Sequence, residues 1–176
     1  MNYKPIQAAA LIAVALGIVA GTTLAGDTSK LRVPDGLSFS DFEGYQDWRV
    51  ISMSQTDDVM AVIVANSVMM EAYRAGIPGN GKPFPDGSKM AKIHWKPSKS
   101  TDAPSPTVVP GTLHDVDFMV RDNERFGATG GWGYAEFDYD EASDTFRPLG
   151  SGAGCGYACH TIVKGKDYVF TGYSKR

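Results

Sequence analysis

Near the C-terminus two thiols and an imidazole fall within six residues, Cys155-Gly-Tyr-Ala-Cys159-His160, and these are the only cysteines in the chain. A pair of cysteines with histidine directly after the second is the arrangement that attaches c-type haem, where the usual spacer is two residues. The thiols add to the vinyl groups on one porphyrin edge, and the adjacent imidazole offers a nitrogen to the iron. Here the spacer is three residues, and Gly156 inside it has the backbone freedom to absorb the extra one. Two other readings of the same residues stay open. In an oxidising compartment Cys155 and Cys159 could close a local disulfide, leaving His160 an ordinary surface residue. A zinc site would need a further ligand, and His94 and His114 stand isolated in the sequence. The run Gly150-Ser-Gly-Ala-Gly154 just upstream lacks the lysine and the strand–turn–helix setting of a phosphate loop. Its glycines suit a backbone that passes close to a flat cofactor.

The elements that must carry this unit belong to one domain. The 176 residues hold 17 Lys and Arg against 20 Asp and Glu, a formal charge of −3. That balance argues against a nucleic-acid binder, which carries a basic excess. With 43% apolar residues the chain can bury a core, and two neighbouring cysteines staple no distant parts of it. The N-terminus reads as a cleaved export signal over residues 1–25. Lys4 gives the positive start, Ala8 to Ala20 the apolar stretch, and Thr23-Leu24-Ala25 the small residues at the cleavage site. The apolar run is shorter than the roughly 20 residues of a membrane span. Residues 26–176 are then a periplasmic or secreted domain, with no membrane attachment after cleavage.

The mature chain reads as mainly β, an antiparallel sheet with a few short flanking helices. Trp48 to Met53 and Val59 to Ala65 form a hairpin around the turn at Gln55 to Asp58. Asn66 or Ser67 caps a short helix to Arg74, with Gly76 just past its end and Pro78 beyond. Ile77 to Gly87 is an irregular loop rich in Pro and Gly. From Lys89 to Lys96 the residues alternate, with Ala91, Ile93 and Trp95 on one face and Met90, Lys92, His94 and Lys96 on the other. Pro97 to Gly111 reads as a long structureless connection. Leu113 to Val120 alternates again, Trp132 to Tyr139 is an aromatic strand, and Tyr168 to Tyr173 a short closing one. Phe39 to Phe42 forms a helical turn.

Four further segments stand in a recognisable order around the cysteine motif: Phe84-Pro-Asp-Gly-Ser-Lys-Met-Ala-Lys92, Val116-Asp-Phe-Met-Val-Arg-Asp122 with Arg125-Phe126, Gly130-Gly-Trp-Gly-Tyr-Ala135, and Lys166-Asp-Tyr-Val-Phe-Thr171. From about Tyr45 to Phe170 the chain resembles the cytochrome P-460 family, whose nearest relatives in fold are the cytochromes c′-β. The resemblance implies an antiparallel sheet with flanking helices, usually a homodimer, and one covalent haem c per chain held by Cys155 and Cys159. It implies His160 as the proximal iron ligand. A lysine downstream of a Phe-x-Asp-Gly segment is cross-linked to a meso carbon of the haem in cytochrome P-460, and Lys92 matches it. On the residues alone Lys92 is a solvated lysine in mid-strand.

The activity implied is oxidation of hydroxylamine, with a carboxylate in the distal pocket as proton acceptor. The oxidising members carry an acid shortly before the first cysteine, where this chain has Ser151-Gly-Ala-Gly154. Loss of a positioned base costs on the order of 100- to 10,000-fold in rate, so this departure favours reversible binding of a small ligand such as nitric oxide. Glu136 and Asp138 are other acids within the domain. The expectations are therefore an exported cytochrome that oxidises or binds a small nitrogen species, with a periplasmic electron-transfer partner. The alternatives are a simple electron-transfer cytochrome with Met53, Met60, Met69, Met70, Met90 or Met119 as sixth ligand, and a cofactor-free β domain. Core packing is the plainer role for those methionines, because Met fills gaps readily.

Overall fold

The computed structural model describes residues 28–34, 36–149 and 152–174, without the side chains at 152, 153 and 155. Six antiparallel strands pair in chain order: β1 (Arg49–Gln55), β2 (Met60–Ala65), β3 (Lys89–Lys99), β4 (Val108–Arg121), β5 (Trp132–Asp140) and β6 (Thr145–Pro148). Helix α1 (Ser67–Arg74) lies between β2 and β3, and helix α2 (Gly152–His160) follows β6. A 3-10 turn at Phe39–Phe42 and another at Thr161–Lys166 complete the elements that matter here. Among the described residues no helix is long and apolar enough to cross a membrane. The mainly β expectation, an antiparallel sheet with a few short helices in one domain, holds.

Alternation along the strands divides the sheet into two faces. Val64, Ala91, Phe118 and Ala135 lie in one cross-strand row, with Val62, Ile93, Val116 and Phe137 in the next. This face is closed by the lead-in segment, whose Val33, Leu37, Phe39, Phe42 and Tyr45 join it in one buried cluster. The opposite face is apolar only at one end. There Met90, Met119 and Tyr134 pack with Met69, Met70 and Tyr73 of α1 and with Phe84 and Trp132. Farther along, the same face becomes polar, and the site lies there.

Helix α1 forms as expected, and Asn66 does more than cap it. Its side-chain oxygen accepts from both Met69 N and Lys89 N at 3.1 Å, and its amide donates to Gly87 O at 2.8 Å. One residue thus satisfies an orphan helix donor and fixes the turn that leads into β3. Gly76 sits beyond the helix end with φ +88, the left-handed conformation that glycine adopts without penalty.

Two expectations fail. Residues 97–111 are not structureless, because β3 and β4 run on as a hairpin ribbon, and only the residues between Lys99 and Val108 connect them. Pairing with β2 stops at Trp95 and pairing with β5 starts at Asp115, so the outer ribbon has no third strand. Pro97 stands opposite Pro110, a placement tolerated on a strand edge that owes no ladder donor. Tyr168 to Tyr173 is not a strand. Asp167 and Tyr168 have φ of 50 and 61, which turns the chain away from any ladder. Strand β6 and helix α2 carry no clear periodicity and were not expected; four glycines in or beside α2 conceal it.

Candidate functional site

A cavity of about 630 Å³ opens between the polar part of the sheet face, helix α2 and the segment Phe170 to Gly172. Its floor is one cross-strand row, Ser52, Ile63, Lys92, Asp117 and Glu136, running over five strands. Met90, Met119 and Tyr134 border its inner end, and Gly156, Cys159 and His160 form the wall on α2. Three of the four expected site residues, Lys92, Cys159 and His160, therefore face one space, although 66 residues separate Lys92 from Cys159. The fourth, Cys155, has its side chain outside the described residues. The Cys159 side chain is exposed and has no disulfide partner among the described residues.

The three-residue spacer lies within helix α2. Positions 155 and 159 are four residues apart within α2, about one helical turn. Gly156 serves a different purpose from the one expected. It has no unusual backbone angle, and a Cβ there would stand 2.5 Å from Tyr134 Cγ. Glycine lets α2 press its backbone directly onto the β5 tyrosine.

His160 is held from behind. Its Nδ1 donates to the Tyr168 carbonyl at 2.6 Å, which leaves Nε2 as the nitrogen without that commitment. A backbone partner of this kind fixes the tautomer and orientation of a ligating imidazole. The ring also packs on Tyr134 and Phe170, with centroids 5.0 and 4.9 Å away. Burial lowers the His160 pKa and the Lys92 charge adds to this, against the opposing Tyr168 hydrogen bond. The neutral form, which can ligate a metal, is favoured.

The carbonyl is itself fixed by a chain of interactions. Asp167 Oδ2 accepts from Phe84 N at 2.7 Å, and Oδ1 meets Arg121 Nη1 at 3.0 Å, with both side chains nearly buried. Tyr168 takes a positive φ, an outlier for a bulky residue. It persists because the ring is pinned between Tyr157, at 5.6 Å, and Gly130, where any Cβ would run into it. Strain kept by its surroundings is common at functional sites. Tyr73 donates to Thr171 O at 2.9 Å and ties the next part of the segment to α1.

Acids also reach the cavity, from the sheet and not from the segment before Cys155. Asp117 is recessed below the surface yet open to the cavity, with 42% of its side chain exposed. Its carboxyl is pushed up to about 6, first by burial and then by Asp115 and Glu136, against the pull of His94 and Lys92. Glu136 is raised as well, by burial and by Asp115 and Asp138. Of the two acids named from the sequence, Glu136 lines the cavity, whereas Asp138 lies at a second groove beside Arg147. Asp117 was missed as an acid of the site; its place opposite Lys92 in the β3–β4 register is the signal that finds it. His94 and His114, isolated in sequence, both bond to Asp115 in the structure.

The cavity is bordered by both apolar and ionisable side chains, among them Met90, Met119, Lys92, Asp117 and Glu136. The ring of Tyr134 borders the cavity, while its Oη is buried among the described residues away from solvent. The volume lies within the usual range for small-molecule sites. The sheet face bearing Lys92 and the helix bearing Cys159-His160 form opposite walls of this space. The family model described as Cytochrome P460 matches residues 42–171, and the chain belongs to that family. No curated protein matches it.

Proposed function

We propose that the chain is an exported mono-haem c-type cytochrome that takes a small nitrogen species, hydroxylamine or nitric oxide, at the iron. The observation that carries this reading is the convergence of Cys159, His160 and Lys92 on one cavity. Haem attached through Cys155 and Cys159 would supply an iron able to exchange electrons and accept a small ligand. His160 would hold that iron through Nε2, with Nδ1 bound to Tyr168 O.

Lys92 would stand at the macrocycle edge, either cross-linked as in cytochrome P-460 or as a free ammonium. Asp117 and Glu136 give the oxidising reading what the residues before Cys155 lack. A carboxylate with a pKa near neutrality is suited to accepting protons from a bound substrate. Reversible nitric oxide binding keeps its support from the acid-free run Ser151 to Gly154. Met90 and Met119, the methionines nearest the cavity, are buried in the core beside α1, which favours packing over ligation.

The test is the visible spectrum of protein matured with the cytochrome c assembly machinery, alongside Cys155→Ala/Cys159→Ala and His160→Ala variants. Covalent haem should be lost in the first and iron coordination altered in the second. Haem retained identically in all three would overturn the assignment. N-terminal sequencing of the exported protein should start just after Ala25; a start at Met1 in the membrane fraction would contradict export with cleavage.

A further inference from the structure

At the outer rim of the cavity two like-charged pairs stand side by side. Asp115 faces Asp138 and Asp117 faces Glu136 across β4 and β5, so four carboxylates form a block on one face of the sheet. Like charges directly opposite one another in an antiparallel pair are unfavourable. Around the block, Lys92 stands opposite Asp117, and Arg147 Nη2 reaches Asp138 Oδ2 at 3.3 Å. Lys92 and Arg147 thus stand against a block of four carboxylates.

The centre of this excess is organised as a set of donors. One ligand-type atom from each of His94, Asp115 and Asp117 lies within 4.8 Å of the others. His94 Nδ1 contacts Asp115 Oδ1 and is 3.9 Å from Asp117 Oδ2, while the other Asp115 oxygen meets His114 Nδ1. The His94 and Asp115 side chains are each only 10% exposed, and His114 is 46% exposed. His94 and Asp115 are a cross-strand pair and Asp117 lies two residues along β4, so all three sit on one face of paired strands. Sites built on such elements are more precise than sites on loops.

We propose that His94, Asp115 and Asp117 bind a divalent first-row transition metal ion, with His114 holding the outer oxygen of Asp115. Imidazole and carboxylate donors without thiolate suit Zn²⁺, Mn²⁺ or Fe²⁺. A divalent ion adds positive charge to this carboxylate block, and Asp117, with 42% of its side chain exposed, gives it an entry path. None of these residues attaches the haem; Asp117 is shared with the cavity floor, so the test reads zinc binding itself and not haem chemistry.

The experiment uses haem-loaded protein stripped with a chelator, with Zn²⁺ titrated by calorimetry at neutral pH. Haem in place keeps Cys159 and His160 from competing for zinc. One Zn²⁺ per chain is expected, with His94→Ala and Asp115→Asn each weakening binding by about tenfold or more, and His114→Ala by less. The haem absorbance should be the same in all of them. If either buried substitution impairs folding, Asp117→Asn, at the half-exposed ligand, replaces it with the same expected loss of zinc binding; because Asp117 lies on the cavity floor, its haem absorbance is not used as the control. No saturable binding by the unmodified protein, or equal binding by the folded variants, would overturn the assignment and leave the cluster a hydrogen-bond network only.

Discussion

The two faces of the sheet use alternate residues of the same strands for opposite ends. On one face Phe118 stacks on Phe42 at 4.2 Å and meets Phe39 and Tyr45 edge-on at 5.4 and 5.1 Å. Every position in its central rows is apolar, and the lead-in segment seals it. On the other face the apolar cover ends at Met90, Met119 and Tyr134, and the next row is Lys92, Asp117 and Glu136. The sealed face holds the strands in register, so the open face can keep charged groups facing a cavity at a cost that the fold tolerates. Stability and chemistry are separated by one residue of strand period.

Substitutions can break that division, and the greatest loss is expected on the sealed face. Phe118→Ala should lower unfolding free energy by about 3–5 kcal/mol, read from denaturant titration, with an unchanged haem spectrum in the folded fraction. Asp167→Ala should cost about 3 kcal/mol, because it leaves Arg121 buried without its partner. Unlike Phe118→Ala it should also alter the spectrum, since it loosens the carbonyl that orients His160.

Gly156→Ala is smaller and sets two effects against each other. Alanine gains about 1 kcal/mol in helix propensity, but its Cβ would meet the Tyr134 ring, and overpacking of that kind costs about 1–3 kcal/mol. Net destabilisation with reduced haem content is expected; a more stable variant with full haem content would show that α2 does not press on β5.

Smallest of all is a pH dependence. The folded-state pKa of Asp117 is raised from 3.8 to about 6, so the folded protein binds this proton more tightly than the unfolded chain. Its contribution is fully present below pH 3.8 and is lost as pH rises through 6. Asp117→Asn should flatten the stability profile across that window. Denaturation midpoints between those limits check it, and an unchanged profile would count against the recessed acid.

Much of this was legible in the sequence, for identifiable reasons. The first hairpin, the Asn66-capped helix and the alternation of β3, β4 and β5 follow from local periodicity, and that periodicity put Lys92 and His94 together on the polar face. The Cys159-His160 unit was visible because its chemistry is local. What escaped depended on contacts between distant segments. The outer ribbon needs its partner strand to explain Pro97, helix α2 is a glycine-rich helix stabilised by packing on Tyr134, and the turn at Tyr168 is imposed by Asp167 and Gly130. Asp117 and the meeting of His94 with His114 become visible only with the β3–β4 register.

The functional reading turns on whether Cys155 and Cys159 attach one haem whose iron His160 holds in this cavity. Intact-mass measurement of the matured protein under denaturing conditions decides it. One polypeptide carrying the added mass of a single haem, and retaining its colour after unfolding, is the expected result. A colourless chain lighter by two hydrogens, the mark of a Cys155–Cys159 disulfide, would contradict it.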